Sequence, residues 1–324
     1  MKRIWWAAIA FMAAAPAALA QQPFPSRPVT FVVPYAPGGT TDVLARIIGK
    51  AMGAQLGQTV IIENAGGAGG TTGTQRVVRG EPDGYTLSFG NMGSLAANVS
   101  LYPQLSFDPR RDLVPVGLVA TVPMVLSVSK KSGITTLAAF VERLKAKEGG
   151  VNFGTAGIGS TSHLAAAAFT SASGTKATLV NYRGSGPSIN DLVAGVVDAV
   201  IDQTVTMIPM HNGGSVTAIG VTGATRVPQM PDVPTFAEGG VPAFDLSVWN
   251  ALAAPRATPP AILAQLESAL SAALDDPEVR QRFTDLAAGA PAGAGRGSAA
   301  LGRLIATDVE RLGRIVETAG IKPE

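Results

Sequence analysis

Three segments of this chain place glycines and hydroxyl residues where a strand hands over to a helix, a position suited to holding an anion. They are Pro34-Tyr35-Ala36-Pro37-Gly38-Gly39-Thr40-Thr41-Asp42, Thr155-Ala156-Gly157-Ile158-Gly159-Ser160-Thr161-Ser162-His163 and Asn181-Tyr182-Arg183-Gly184-Ser185-Gly186-Pro187. The first N–H groups of a helix have no carbonyl to bond and sit at the positive end of its dipole. They can therefore hold a carboxylate without any basic side chain. Glycine lets backbone and ligand approach closely, although a tight turn that needs its glycines only for shape is the alternative. Asp42 falls in the first helical turn, where the dipole favours a carboxylate; a structural role competes there with contact to a ligand hydroxyl or amino group. Ser160 or Ser162 would cap the second helix, and their hydroxyls are also free to bond an anion. His163 reads as a packed or capping residue rather than a base, because no Asp or Glu lies nearby in sequence to orient it. Arg183 could pair with a carboxylate or simply face solvent.

Other chemistries find less support. The run Gly66-Gly67-Ala68-Gly69-Gly70-Thr71-Thr72-Gly73 follows a strand and opens a helix, but it contains no G-x-G-x-x-G in register and no Lys-Ser/Thr of a phosphate loop. The next strand ends in Gly90-Asn91, with no acidic residue for a ribose. That leaves a loop packing close to its neighbours or lining a cleft. No G-x-S-x-G nucleophile elbow occurs. With two histidines and no cysteine, a zinc or iron site is not expected, and neither is a disulfide framework, a lipid-modified cysteine or any cofactor.

The elements that must position these loops alternate. Strand patterns occur at 28–35, 59–62, 85–89, 151–154, 178–180, 199–202, 218–221 and 246–254. Helical patterns fill 40–57, a stretch ending near 79, 137–147, 162–171 and 188–195. Three helices close the chain: one opened by Pro259-Pro260, one by Asp276 as cap with Pro277, and one carrying Leu301, Leu304, Ile305, Val309, Leu312 and Val316, with Gly320 able to end it. Residues 228–242 form a long Pro/Gly-rich loop and 287–300 a connector, and no internal sequence repeat stands out. Such alternation predicts parallel sheets with helices on both faces. The rhythm changes over 113–128, where two apolar runs follow each other. This predicts two α/β lobes, 24–124 with 246–324 and 125–245, the chain crossing near 124 and returning near 246.

The first residues read as an export leader. Lys2 and Arg3 precede the apolar run 4–15, and Ala18-Leu19-Ala20 offers a cleavage tripeptide. The run is shorter than the roughly 20 residues a membrane span needs, so cleavage after Ala20 and a periplasmic location are expected for 1–20 as signal peptide. Without Lys2 and Arg3 the formal charge of +2 falls to zero, which leaves no electrostatic footprint for nucleic acid.

Taken in order, the motifs resemble the substrate-binding receptors of tripartite tricarboxylate transporters, the Bug family. The marks are P-Y-A-P-G-G-T-T-D-V-L-A-R at 34–46, E-N-A-G-G-A-G-G-T-T-G at 63–73, P-D-G-Y-T-L at 82–87 and G-I-G-S-T-S-H-L at 157–164. Tyr182–Pro187 with Asp191-Leu192, P-D-V-P-T at 231–235 and Glu238-Gly239-Gly240-Val241-Pro242 complete them. The resemblance covers essentially the whole chain after the leader. It implies a two-lobe periplasmic-binding-protein fold of the second type, and binding without catalysis. It also implies a small organic acid held between loops of both lobes through backbone amides and waters, and permease subunits as partners; a monomer is expected. Carried onto this sequence, Tyr35, Ala36, Pro37, Gly38, Gly39 and Asp42 lie on one side. Thr155, Gly159, Ser160, His163, Tyr182, Arg183 and Gly184 lie on the other, with Asn91 and Asp202 at the distal end. Two departures, Ala65-Gly66 for the more frequent Arg-Pro and Asn181 and Arg183 around Tyr182 for Pro and Lys, leave the distal contacts open. A ligand-sensing accessory to a membrane signalling protein would share the same site. A serine hydrolase would instead need His163 or His211 bonded between an exposed serine and a carboxylate.

Overall fold

In a computed structural model of the chain, the structure describes residues 23–242, 246–318 and 321. The expected leader, its cleavage site and the helix stop at Gly320 lie outside the described residues. The chain opens with β1 (Val29–Val33), α1 (Thr40–Leu56), β2 (Val60–Asn64), α2 (Thr71–Val78) and β3 (Thr86–Asn91). A π-turn at Gly93–Ala97 runs into α3 (Asn98–Leu101), followed by α4 (Pro109–Asp112) and β4 (Leu113–Val122). Next come β5 (Met124–Ser129), α5 (Leu137–Ala146), β6 (Asn152–Thr155), α6 (Thr161–Ala172) and β7 (Thr178–Asn181). Then follow α7 (Ser185–Ala194), β8 (Ala199–Gln203), α8 (Thr204–Asn212) and β9 (Val216–Val221). The last elements are β10 (Val248–Pro255), α9 (Pro260–Asp275), α10 (Pro277–Asp285) and α11 (Gly297–Thr318).

These strands form two five-stranded sheets on one plan, β2-β1-β3-β10-β4 and β7-β6-β8-β5-β9. In each, the first three strands run parallel and the fourth runs antiparallel to both neighbours. That fourth strand is, in both sheets, the first one laid down after the chain changes sheets. The plan therefore repeats although the sequence does not. The lobes are of the mixed α/β kind, and β1 shows why. Val29, Phe31 and Val33 face a core shared with α1 and α9, while Val32 faces another shared with α11. A strand sandwiched this way needs apolar residues on both faces, hence the unbroken run in the sequence.

Three local differences from the sequence reading have physical causes. Helix α8 has no clear apolar stripe and carries Pro209 inside it, so its pattern does not read as a helix. The turn after β3 is too short and too rich in small residues to show a period. Helix α7 starts at Ser185, three residues before the expected 188, because Pro187 falls in the first turn, where a missing N–H costs nothing. The Asp276 cap forms as expected, its carboxylate accepting from the amides of Glu278 (2.8 Å) and Val279 (3.2 Å). No helix among the described residues is long and apolar enough to cross a membrane.

The core of the second sheet's lobe is a cluster of four phenylalanines. Phe140, Phe153, Phe169 and Phe236 lie with ring centroids 5.5–6.2 Å apart and are almost fully buried. Phe153 touches two of the others from β6, one residue before the small-residue loop that leads to α6. Phe153→Ala should cost about 3–5 kcal/mol, read as a lower urea midpoint with an unchanged slope; a loss under about 1 kcal/mol would mean the cluster is not what holds this lobe.

A crevice built from helix starts

The two sheets face each other through the carboxyl ends of all but their fourth strands, where open α/β sheets bind ligands. Between them lies a narrow crevice of about 280 Å³, little of it wide enough for a free water. Four helix starts make its wall: Gly39, Thr40 and Thr41 from α1, Ser160 and Thr161 from α6, Ser185 from α7 and Gln203, the residue capping α8. Tyr35, Asp42, Asn91 and Ala156 complete the lining, and no Lys, Arg or His is among these residues. The first amides of each helix have no carbonyl below them. The crevice is therefore a convergence of donors at the heads of α1, α6 and α7, beside the start of α8, whose Thr204 amide is already bonded to the Pro123 carbonyl (3.0 Å).

A relay of side chains fixes the wall. The Tyr35 hydroxyl donates to Asn91 Oδ1 (2.9 Å), Asn91 Nδ2 to Thr41 Oγ1 (3.3 Å) and Thr41 Oγ1 to Asn250 Oδ1 (3.4 Å). Asn250 Nδ2 then donates to Gln203 Oε1 (2.8 Å), which carries the relay into the other lobe. Because its oxygen is used, Gln203 keeps its side-chain N–H groups as donors toward the crevice. Burial holds the Tyr35 hydroxyl well above the usual phenol value, so it stays a neutral donor.

Of the residues expected from sequence, Tyr35, Gly39, Asp42, Asn91 and Ser160 reach this wall. The others do not, each for a local reason. The Ala36 amide is spent on the Arg183 carbonyl of the opposing lobe (2.9 Å), and Pro37 is exposed and has no N–H. The Gly38 amide bonds Asp42 Oδ2 (3.1 Å). Thr155 Oγ1 donates to Asn181 Oδ1 (2.7 Å) and accepts from the Gly157 amide (3.3 Å), bracing its own loop. Gly159 is pressed on Asn98, where a Cβ would lie 2.3 Å from Oδ1, and Gly184 on Ala36. Tyr182 donates to Asp191 Oδ2 (2.5 Å), and the Arg183 side chain is exposed. Asp202 sits one layer back, behind Ser185 and Thr206. Missed from sequence were Thr40, Thr41, Ala156, Thr161, Ser185 and Gln203. Five of these lie within the quoted loops, and counting N–H groups at each helix start would have found all of them but Ala156, which precedes α6 and gives its amide to Ser162 Oγ (2.7 Å). Gln203 needed α8, which the sequence hid.

The lobes meet through main chain rather than side-chain charge. Besides Ala36 and Arg183, the Tyr102 hydroxyl donates to the Ile158 carbonyl (2.9 Å), and Thr40 Oγ1 lies 3.4 Å from Thr206 Oγ1. The glycine-rich loop takes part here. Gly69, in the left-handed region at φ 56°, packs so closely on the Ile158 carbonyl that a Cβ would sit 1.9 Å from its oxygen. Gly66 and Gly69 serve contact between lobes, while Gly70 and Gly73 pack on Tyr35, Ser94 and Pro34 of their own lobe.

No hydrolytic triad forms among the described residues. His163 is buried with Nδ1 lacking a partner, and burial pushes its pKa down to about 4. His211 Nδ1 accepts from the Ala218 amide (3.2 Å). Neither imidazole bonds a carboxylate.

Asp42 takes the structural role. Burial alone would raise its carboxyl, but hydrogen bonds from Arg46, Gly38 and Asn64 and the charge of Arg46 outweigh this and hold it below its usual value. The stability it contributes is thus present above about pH 4 and is lost as pH falls through the lowered value. Asp42→Asn should lower stability at neutral pH by roughly 1–2 kcal/mol, discounted because Arg46 is half in solvent. It should also flatten the acid limb of stability against pH, measured by urea unfolding from neutral to acid; an unchanged limb would show that Asp42 is not the group being protonated.

Comparison with known proteins places the arrangement in a family. The family model described as tripartite tricarboxylate transporter family receptor matches residues 44–321. The solved periplasmic binding protein BugD superposes with a TM-score of 0.90 at 34% identity, covering 93% of this chain and 100% of that one. MatC from Rhodopseudomonas palustris, with bound malate, gives 0.87 at 39% identity, covering 90% and 100%. Rpa4515 of R. palustris, with adipate, gives 0.88 at 33% identity, covering 93% and 100%. The chain therefore belongs to the receptor family of tripartite tricarboxylate transporters and has the two-lobe, type II fold of periplasmic binding proteins.

Proposed function

We propose that this chain is a periplasmic receptor that closes its two lobes on a small organic carboxylate, does no chemistry on it, and delivers it to permease subunits in the membrane. The observation that carries this reading is the meeting of four helix starts in a crevice without a cationic side chain. Helix-start amides and dipoles favour an anion. A neutral sugar would leave those donors poorly matched. That relatives of this fold hold malate and adipate supports the same class of ligand here.

The amides of Gly39, Thr40 and Thr41 grip the acid from one lobe, while the starts of α6 and α7 grip it from the other. Gln203 and Asn91 meet the remainder of the molecule. The lobes, 24–124 with 246–324 and 125–245, move about the two strand crossings. An acid bridging both sets of helix starts stabilises the closed form, because only there does it touch both.

A thermal-shift screen of organic acids tests this. A ligand at 100 times its Kd stabilises the fold by about 2.7 kcal/mol, which for a chain of this size raises Tm by roughly 5 °C or more. A carboxylate is expected to do so and a neutral sugar is not. Gly39→Pro, which deletes one N–H at the head of α1, should abolish the shift. Stabilisation by sugars alone would overturn the reading.

A further inference from the structure

Behind Ser185, near the end of β8, lies a carboxylate that no cation answers. Asp202 is 1% exposed, and its Oδ2 accepts the Thr206 hydroxyl at 3.0 Å. The Ser185 side chain, on the crevice wall, lies near enough to stabilise its ionised form. Thr206 in turn lies 3.4 Å from Thr40, which belongs to the opposing lobe and also lines the crevice. Asp202 is thus one hydroxyl from the crevice through Ser185, and two, Thr206 and Thr40, from its opposing wall.

Nothing packed around it supplies a positive charge. Strands β5 and β6 carry no charged residue. On α7, Asp191 is engaged by Tyr182, and on α8, His211 accepts from the Ala218 amide. On α6, His163 is buried and kept neutral. On α1, Asp42 holds Arg46 and Lys50 pairs with Glu278.

We propose that the receptor takes up one proton as it closes on its acid and that Asp202 receives it, an inference resting on the reading of the crevice as an acid site. A hydroxyl can aim its hydrogen at only one acceptor. While Asp202 is ionised it takes the Gln203 amide and draws the hydrogens of Ser185 and of Thr206, whose other acceptor is the Gln203 carbonyl (2.9 Å). Once protonated it donates instead: Thr206 can turn to the Gln203 carbonyl, and the Ser185 hydroxyl, on the crevice wall, is free to turn toward the bound anion. Two carboxylates in one poorly solvated place cannot both stay ionised cheaply. Burial already lifts Asp202 to about 6, so a neighbouring anion needs only a modest further push to keep it neutral at physiological pH. The balance is simple: the complex contains the acid as its anion plus one proton drawn from solvent, and no other reactant.

The sign of the pH dependence follows. Binding should tighten as pH falls, by up to about tenfold per pH unit, between the values Asp202 has in the free and the bound receptor. Calorimetric titration of malate and adipate between about pH 6.5 and 8.5, where the free acids are ionised, tests it in paired buffers of different ionisation heat. Uptake approaching one proton per complex is expected, and Asp202→Asn should abolish both the uptake and the pH dependence. Binding with no uptake, with proton release, or with uptake that persists in Asp202→Asn overturns the proposal and leaves the acid-site reading standing. No heat from either acid at any pH sinks that reading and this one together. Should the variant fail to fold, the buffer-dependent heats of the unmodified receptor still decide.

Discussion

An α-helix cannot bond its own first N–H groups, and in this protein four helices start at one place, three of them with first amides that no protein carbonyl takes. The constraint is ordinary, because every helix pays it at its start. What is particular is that α1, α6, α7 and α8 all begin at the carboxyl ends of strands facing one crevice. Elsewhere such groups meet water or a capping side chain. Here only α6 has a hydroxyl cap, Ser160 accepting from His163, and none is found at α1, α7 or α8. The donors are held rigidly by sheets buried on both faces, so they need not be reordered for a ligand.

The same economy governs how the lobes touch. Contacts such as Ala36 with Arg183 and Tyr102 with Ile158 use carbonyls as acceptors, and glycines allow the backbones to come close. Gly186 belongs to this set, since a Cβ there would lie 2.1 Å from the Pro37 carbonyl oxygen. Main-chain polar groups are satisfied by water as readily as by each other.

Two aspartates near the crevice show how little residue type says without surroundings. Asp42 and Asp202 are both almost fully buried. One accepts from an arginine, an amide and an asparagine and stays ionised with ease; the other has the Gln203 amide and hydroxyls but no cation, and burial shifts it in the opposite direction. Arg46 makes the difference, and it reaches Asp42 because four residues on a helix bring side chains onto one face.

The sequence by itself determined the alternation of strands and helices, the loops at strand ends and the absence of a nucleotide or nucleophile motif, because each is written in local periodicity and spacing. It determined that β1 is buried on both faces, and that Asp276 caps a helix, for the same reason. Tertiary structure alone decided which amides remain free. Ala36 and Gly38 look as available in the sequence as Thr40 and Thr41, yet one is consumed by Arg183 and the other by Asp42. Gln203 could not be seen as a site residue until α8 formed and Asn250, from a strand 47 positions later, turned its side chain. Local pattern sets where donors arise. Which of them face a ligand depends on contacts between distant segments, and those exist only once the two sheets have closed on each other.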